Sequence, residues 1–122
     1  MASYSPAIRR IRYLIEGTYD YASCREWEKG SPGSPATING GPSCIRSYAL
    51  PIAWRDGSDY IVTNERNSPT TNRHISAAHR AMTEMGYDAV ASEVEIINRR
   101  RPYGFYEDTP IAVTRYRKNG AN

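Results

Sequence analysis

The apolar positions near the start of the chain recur at helical spacing and predict a first helix. These positions are Ala7, Ile8, Ile11, Leu14 and Ile15. Ser5 is suited to cap this helix and Pro6 to occupy its first position, and Gly17 is a natural stop. The opposite face of the helix carries Arg9, Arg10 and Arg12.

After this helix the apolar residues no longer recur at a helical or a strand spacing. The stretch 29–43, KGSPGSPATINGGPS, consists of residues that favour turns and interrupt helices and strands. Loops of this length are usually either functional or disordered. We therefore predict a flexible loop over residues 28–44.

Alternating apolar residues then predict a β-hairpin. Within SYALPIAW, residues 47–54, one face carries Tyr48, Leu50, Ile52 and Trp54. This alternation is typical of a half-buried strand. Because Pro51 has no N–H for a sheet ladder, the strand is expected at an edge or with a bulge. Residues 55–59 favour a turn, and residues 60–63 form the returning strand.

A second helix is predicted from a cap at Thr71 or Asn72 to about Met85, with a glycine stop directly after it. Its apolar face comprises Ile75, Ala78, Ala81, Met82 and Met85. With residues placed at 100° intervals, His74 falls on the apolar side and His79 at its boundary.

The C-terminal third is expected to contain mainly strands. Residues 87–97, YDAVASEVEII, fit a strand or a helix, and we favour a strand because the segment follows a glycine and is rich in β-branched residues. Residues 99–106 are expected to form a loop, 111–116 a last strand and 118–122 a disordered tail. The order α-β-β-α-β-β predicts one small α+β domain, whose mostly antiparallel sheet has about four strands and is covered by two helices.

The segment 67–82, NSPTTNRHISAAHRAM, brings hydroxyl groups and histidines together around a helix start. A nucleophile needs a neighbouring base that is itself oriented by a third group, and the chain has no G-x-S-x-G sequence. Capping of the helix by Ser68, Thr70 or Thr71 is the simpler interpretation. His74 and His79 diverge by about 140° on a helix and cannot act together as the histidines of H-E-x-x-H do. We therefore expect no catalytic residue, metal or cofactor.

Three acidic pairs are candidates for catalytic carboxylates. They are Asp56 with Asp59, Glu93 with Glu95, and Glu107 with Asp108. Glu93 and Glu95 would share the face of a strand opposite its apolar side chains, which is typical of a solvated face. Since there is no third ligand and no glycine-rich phosphate loop, the sequence favours surface roles for these pairs.

Composition adds a candidate binding surface. The net charge is +3, and 14 of the 16 basic residues are arginine, whose planar guanidinium suits phosphate and carboxylate. The stretch RRRPYGFY interleaves arginines with aromatic rings, a pattern that can neutralise phosphates and stack on unpaired bases. The candidate binding residues are Arg99, Arg100, Arg101, Tyr103, Phe105 and Tyr106, extended by Arg9, Arg10 and Arg12. Residues 115–118 could extend the same patch.

No apolar run approaches the roughly 18 to 20 residues of a membrane span, and the first residues lack the apolar block of a signal peptide. The sequence therefore predicts a cytoplasmic protein of the host cell, without a membrane association. It does not indicate an oligomeric state.

The segment 47–86 resembles a family of small phage, prophage and plasmid proteins of unknown function. Members of that family follow approximately the pattern S-Y-x-T-x-I-A, then a short hydrophobic strand, then Y-S-x-T-T-x-x-H. The matching motif residues are Ser47, Tyr48, Ile52, Ala53, Ser68, Thr70, Thr71 and His74. Leu50 replaces the usual threonine and Asn67 the usual tyrosine. The resemblance implies an origin in a mobile element and carries no established activity.

We derive three functional hypotheses from these observations. The first is a non-enzymatic accessory protein that binds a host or phage protein or ribonucleoprotein complex, for instance to inhibit a defence system such as a CRISPR effector. It would bind through the 29–43 segment and the arginine-rich region. The second is direct binding of DNA or RNA by the arginine and aromatic residues. The third, less favoured, is a small hydrolase or nuclease centred on His74.

Overall fold

The computed structural model describes residues 6–16, 37–91, 95–100 and 108–118. Within these residues the protein has an α+β fold, with two helices and a seven-stranded antiparallel sheet. In chain order the elements are α1 (Pro6–Glu16), β1 (Ile38–Gly41), β2 (Cys44–Ser47), β3 (Leu50–Asp56), β4 (Asp59–Thr63), α2 (Pro69–Glu84), β5 (Tyr87–Ala89), β6 (Glu95–Arg100) and β7 (Asp108–Lys118).

The first four strands form a meander, and the long last strand completes the sheet. The strand order is β1-β2-β3-β4-β7-β5, and β6 also pairs with β7. β5 pairs with the C-terminal end of β7, and β6 pairs with its N-terminal half. The two short strands therefore follow one another along the same edge of β7.

Both helices pack on one face of the sheet, and the main core lies beneath them. α1 buries Ile8, Ile11 and Ile15, and α2 buries an alanine-rich stripe with Ile75 and Met82. The sheet residues buried in this core are Ile38, Ile45, Ile52, Ala53, Tyr60, Val62, Tyr87 and Tyr116. The α+β class and the pair of helices are thus confirmed.

A smaller apolar cluster lies on the opposite face of the sheet. It contains Ile61, Ile111 and Val113, with the partly buried Trp54 and Ile97 packed against it. Because side chains alternate along a strand, Ile61 points away from the helices while its neighbours Tyr60 and Val62 point toward them.

The prediction of about four strands is wrong, because the sheet formed by the described residues has seven. Part of the predicted loop at 28–44 is a strand, since Ile38–Gly41 pairs with Cys44–Ser47. Gly40, with φ of 114°, lies where a Cβ would meet the Cys44 carbonyl oxygen at 2.1 Å. Gly40 therefore permits a close approach of the two strands, where a disordered loop was expected. Residues 28–36 of the predicted loop lie outside the described residues.

The expected strand at 47–54 is divided by a tight turn. Ser47 ends β2 and Leu50 begins β3, opposite each other, so Tyr48 and Ala49 form a two-residue hairpin connection. The predicted common face is also wrong, because Leu50 and Ile52 pack in the core beneath the helices, whereas Trp54 packs against the cluster on the opposite face. The bulge that proline suggested is confirmed, since the β2–β3 register shifts between Ile45 and Arg46.

The second helix begins earlier than predicted. Ser68 is the N-cap and accepts a hydrogen bond from the Thr71 backbone N–H, with Pro69 in the first turn. The cap expected at Thr71 or Asn72 is therefore wrong, because proline at the first helical position extends the helix toward its N-terminus. The apolar face is confirmed, and Gly86 with φ of 87° follows the helix as its stop.

In the C-terminal third the preference for strand over helix at 87–97 is confirmed for β5 and the first half of β6. The predicted loop at 99–106 is wrong at its start, because Arg99 and Arg100 belong to β6. The last strand extends beyond the predicted 111–116 in both directions, so Lys118, placed in the tail, belongs to β7. Residues 101–107 and 119–122 lie outside the described residues.

Beyond the end of β4, strands β6 and β7 form a two-stranded ribbon. Thr63, the last residue of β4, pairs with Val113 of β7. The ribbon consists of the five β6–β7 pairs that extend past the Thr63–Val113 pair. They run from Ile96 opposite Ala112 to Arg100 opposite Asp108. The strand directions place the Tyr48–Ala49 turn, the N-terminus of α2 and the base of this ribbon at the same end of the sheet, which we call the ribbon end.

Candidate functional site

A buried polar cluster joins the end of β2 to the start of α2. Ser47 Oγ lies 2.7 Å from His74 Nδ1 and 3.1 Å from Thr71 Oγ1. The side chain of His74 is 0% exposed, and Ser47 is 1% exposed. The structure thus confirms that His74 lies on the core side of the helix.

This cluster contains a serine and a histidine at hydrogen-bond distance, as a nucleophile and its base would be. A reacting substrate must reach the serine oxygen, however, and both side chains are enclosed by protein. Buried polar groups of this kind require partners, since leaving one unsatisfied costs about 1–3 kcal/mol. The arrangement therefore serves as a structural connection between sheet and helix.

The other hydroxyl groups of the motif have separate positions. Ser68 is exposed and caps α2, while Thr70 is half-buried in the first turn. Asn67 and Asn72 strengthen the helix start reciprocally, because the Asn67 N–H donates to Asn72 Oδ1 and Asn72 Nδ2 donates to the Asn67 carbonyl. Capping, predicted from the sequence, is confirmed, with Ser68 as the capping side chain.

Tyr48 is the aromatic motif residue, and it is exposed to solvent. Its side chain is 55% exposed, and its φ is 56°. Two-residue hairpin turns require positive φ at this position, where glycine is favoured and a bulky residue is an outlier. The backbone is held on both sides, because the Tyr48 N–H donates to the Thr37 carbonyl and Asn39 Nδ2 donates to the Tyr48 carbonyl, each at 2.8 Å.

His79 connects α2 to two strands. Its Nε2 lies 3.0 Å from the Thr63 carbonyl oxygen, which can only accept, so this nitrogen carries the proton. Its Nδ1 then accepts from the Tyr116 hydroxyl at 2.6 Å. Burial lowers the pKa of His79 and raises the pKa of Tyr116. The neutral forms of both rings fit this arrangement, and both imidazole nitrogens are engaged.

A shallow cleft of about 200 Å³ opens beside His79. It lies between the 64–68 linker and the exposed side of α2. Its lining residues are Asn64, Glu65, Arg66, Asn72, Ile75, Ser76 and His79. Glu65 accepts a hydrogen bond from the Thr63 hydroxyl at 2.9 Å. The cleft is too small and too open to enclose a drug-sized ligand.

A network of carboxylates and arginines lies on the helix-free face of the sheet. Arg117 binds Asp59 through two hydrogen bonds, from Nε at 2.8 Å and Nη2 at 3.0 Å. Arg115 reaches Asp56 at 2.8 Å and binds Glu95 through two hydrogen bonds of 3.1 Å. The Arg117 hydrogen bond holds the pKa of Asp59 below its usual range, and the Arg115 hydrogen bond does the same for Glu95.

This network changes the interpretation of two predicted features. Asp56, Asp59 and Glu95 are ion-pair partners, and Glu93 and Glu107 lie outside the described residues. Arg115 and Arg117 are occupied by carboxylates and are poorly available for phosphate. The possible extension of the basic patch by residues 115–118 is therefore weakened.

The arginines of α1 have mainly local partners. Arg10 Nε donates to the Ile38 carbonyl at 3.1 Å, and Arg12 forms ion pairs with Glu16 and Glu84 at 3.6 Å. Arg9 Nε is buried without a hydrogen-bond partner within the described residues. Two of these three candidate binding residues thus contribute to the packing of α1 against the sheet and α2.

The remaining candidate binding residues are at the ribbon. Arg99 lies opposite Thr109 and Arg100 opposite Asp108, at the last pairs before the connection between β6 and β7. Arg101, Tyr103, Phe105 and Tyr106 lie outside the described residues. The structure therefore locates the start of the arginine-rich segment at the outer end of a ribbon.

Three further exposed arginines are near the same end of the sheet. Arg46 is in β2 next to the Tyr48 turn, Arg66 is in the linker before α2, and Arg73 is early in α2. Within the described residues none of the three forms an ion pair, whereas Arg12, Arg80, Arg115 and Arg117 do. Arg55 and Lys118 are also exposed and form no ion pair in the part of the chain that the structure describes, but they lie at the opposite end of the sheet. Three of these five basic residues are thus at the ribbon end.

No group of three His, Cys, Asp or Glu side chains that could hold a metal ion is found in residues 6–16, 37–91, 95–100 and 108–118. In the same part of the chain no helix is long and apolar enough to cross a membrane.

Residues 21–93 match a family described as "Family of unknown function (DUF8033)", which covers more than half of the chain. The chain belongs to this family. The DUF8033 segment contains the buried Ser47–His74 cluster, the Tyr48 turn and the complete helix α2, whereas α1 and the β6–β7 ribbon lie outside it. No curated protein and no solved structure matches the chain.

Sequence reasoning missed two features of this DUF8033 protein. The first is the hydrogen bond of His79 to Tyr116, because residues 37 positions apart give no local signal. The second is the exposure of Tyr48, which was assigned to an apolar strand face. The turn residues Tyr48 and Ala49 lie within SYALPIAW and are not a turn signal such as Asn-Gly, which would have indicated the hairpin.

Proposed function

We propose that this protein is a non-enzymatic accessory protein of a phage or other mobile element, and that it acts by stoichiometric binding of a host or phage macromolecule. The binding surface is the ribbon end. The observation that carries the proposal is the β6–β7 ribbon, which brings Arg99 and Arg100 to the end of the sheet where Arg46, Arg66 and Arg73 also lie. These last three form no ion pair within the described residues.

The enclosure of the Ser47–His74 pair supports a role without catalysis. A general base must lie within hydrogen-bond reach of the proton that it abstracts from a substrate. His74 is fully buried, and His79 uses both ring nitrogens within the fold. The polar groups that could perform hydrolysis are therefore committed to structure.

The shape and charge of the ribbon support a binding role. Its five pairs correspond to a length of about 17 Å at the rise of an extended strand. A two-stranded ribbon of this size can enter a groove of a partner, including the major groove of DNA. Ribonucleoproteins offer both protein surfaces and phosphates, so a host defence complex such as a CRISPR effector is a suitable class of partner.

A capture experiment tests this function. The tagged protein and its Arg99→Ala/Arg100→Ala variant are used to capture partners from a bacterial host lysate, with and without nuclease treatment. The variant is expected to retain its melting temperature and to lose the partner that the wild type captures. Equal capture by both proteins would contradict binding through the ribbon.

Direct binding of nucleic acid is the second candidate. It is favoured by the exposed Arg46, Arg66 and Arg73, which have no ion pair in the part of the chain that the structure describes. Neutralisation of phosphates releases counterions, so the affinity should fall steeply as salt is added. Mobility-shift titrations with single- and double-stranded DNA and RNA over a salt series provide the test. Absence of binding to all four at low salt would eliminate this candidate and leave a protein surface as the partner.

A further inference from the structure

We propose that Tyr48 is an aromatic contact for single-stranded nucleic acid, and that the buried Ser47–His74 pair is the support that holds it in place. The inference rests on the second candidate function. It assigns a binding role to Tyr48, which the sequence indicates only as a residue of the structural motif. The proposed contact is the Tyr48 turn with its neighbours Asn39 and Arg46, and not the ribbon.

The backbone at Tyr48 is the first observation. A tyrosine occupies the first position of a two-residue hairpin turn with φ of 56°, where glycine or asparagine would be easier to accommodate. Such outliers persist only where the surrounding structure holds them, and they occur often at ligand contacts. Here the hydrogen bonds to the Thr37 carbonyl and from Asn39 hold both peptide groups of Tyr48.

The side chain of Tyr48 has no structural role that would explain this conformation. The residue is 55% exposed, while the other two exposed large apolar residues within the described part of the chain, Val90 and Ile96, are in the C-terminal third. Tyr48 makes no hydrogen bond through its hydroxyl and no ring contact among the described residues. Tyr48 thus combines a strained backbone conformation with an exposed aromatic side chain.

The support beneath the turn is the second observation. Ser47, directly before Tyr48, is hydrogen-bonded to His74 and Thr71 in the core. These contacts fix the backbone of the turn against α2, so the point from which the exposed ring projects is defined by a buried cluster on another element. Residues held in this way lose little further freedom on binding, which favours affinity.

The charges around the turn indicate the class of partner. Arg46 is exposed, carries no ion pair within the described residues, and lies opposite the exposed Asn39 in the β1–β2 register. An open aromatic face beside an arginine without an acidic partner fits stacking on a base together with contact to its phosphate. In a duplex the base faces are covered by their neighbours, so single strands are the matching form.

The test measures binding of fluorescein-labelled single-stranded DNA and RNA oligonucleotides by fluorescence anisotropy at low salt. Tyr48→Phe keeps the ring and should bind within about twofold of the wild type, whereas Tyr48→Asn should bind roughly tenfold more weakly. Because asparagine tolerates positive φ, the Asn variant should melt at the same temperature as the wild type or higher. Tyr48→Asn binding as tightly as the wild type would overturn the proposal.

The support is tested through Ser47→Ala, alone and combined with Tyr48→Asn. The single variant should weaken binding at a temperature where it is still folded, and the double variant should bind no more weakly than Tyr48→Asn. Additive losses would show that Ser47 does not act through Tyr48.

The Arg99→Ala/Arg100→Ala variant separates this inference from the proposed function. If that variant loses binding while Tyr48→Asn does not, the ribbon proposal stands and the Tyr48 proposal fails. If the wild type binds no single-stranded oligonucleotide, the Tyr48 proposal and direct nucleic-acid binding fail together, and capture of a protein partner can still succeed.

Discussion

Ser47 Oγ and His74 Nδ1 lie 2.7 Å apart in the core, where neither side chain is accessible to solvent. This hydrogen bond joins residues that are 27 positions apart, at the end of β2 and on the inner side of α2. A serine–histidine contact of this length would suggest catalysis in an open site. Here it connects the helix to the sheet at the place where the Tyr48 turn leaves the sheet.

Removal of His74 should therefore affect stability rather than a reaction. His74→Ala leaves a cavity and removes the partner of a buried hydroxyl, so we expect the free energy of unfolding to fall by about 2–4 kcal/mol. Ser47→Ala should cost less, about 1–2 kcal/mol. Urea denaturation measures both changes. An unchanged midpoint for His74→Ala would contradict the structural role.

The start of α2 offers a second, smaller test. Ser68→Ala removes the side chain that accepts from the Thr71 N–H and should lower the free energy of unfolding by about 1 kcal/mol. Thr70→Ala is the matched control, because Thr70 is half-buried and is not the cap. Thermal unfolding of both variants should show a clear decrease only for Ser68→Ala. A larger effect of the Thr70 variant would place the cap elsewhere.

The lowered pKa of His79 predicts how stability depends on pH. Because burial depresses the pKa in the folded state, the unfolded chain takes up a proton at a higher pH than the folded protein does. The contribution of neutral His79 is thus complete above the unfolded pKa of about 6.5 and is lost as the pH falls below it. The slope can reach about 1.4 kcal/mol per pH unit for one proton.

The measurement compares urea unfolding of the wild type and His79→Gln between pH 8 and pH 5. Glutamine can retain a hydrogen bond to Thr63 or Tyr116 but does not titrate. The stability difference between the two proteins should shrink or reverse as the pH falls. Parallel curves over the whole range would show that His79 does not titrate with folding.

Pro110 is expected to keep the ribbon from self-association. The Ala112 carbonyl accepts a hydrogen bond from the Asn64 N–H, so the backbone polar groups of Ala112 point toward the β4 side. Residues two apart on a strand point their backbone polar groups to the same side, so the backbone of Pro110 also points away from β6. At this outer edge proline has no N–H to offer another strand. Pro110→Thr should therefore increase dimerisation in sedimentation velocity experiments.

Pro110→Lys is the matched control for this edge. It restores the N–H but adds a charge that opposes pairing between edges. We expect it to stay at the association state of the wild type. Equal self-association of the threonine and lysine variants would exclude the edge as the cause.

The sequence predicted those elements whose signals are local. Both helices have apolar residues at helical spacing, and the hairpin between Trp54 and Ile61 has a glycine turn between alternating segments. The α+β class followed from the order of these elements. His74 was correctly assigned to the core because its angle on the helix depends on sequence spacing alone.

Features that depend on distant contacts were not predictable in this way. The strand β1 is rich in glycine and has little strand propensity, and it forms because β2 pairs with it. Similarly, the sequence around Arg115 and Arg117 suggests a basic tail. In the structure the pairing of β4 with β7 places Asp59 beside both arginines, which form ion pairs with it. The lack of an ion pair at Arg66 and Arg73 within the described residues likewise depends on where the acidic side chains lie.

The measurement that tests the central claim most directly is elution from a heparin column in a salt gradient. Two variants are compared that each lose two positive charges, Arg66→Ala/Arg73→Ala at the ribbon end and Arg12→Ala/Arg80→Ala among the ion-paired arginines. If the ribbon end is the surface for an anionic partner, the first variant should elute at clearly lower salt than the second, which should remain near the wild type. Elution of both variants at the same salt concentration would contradict the proposed surface.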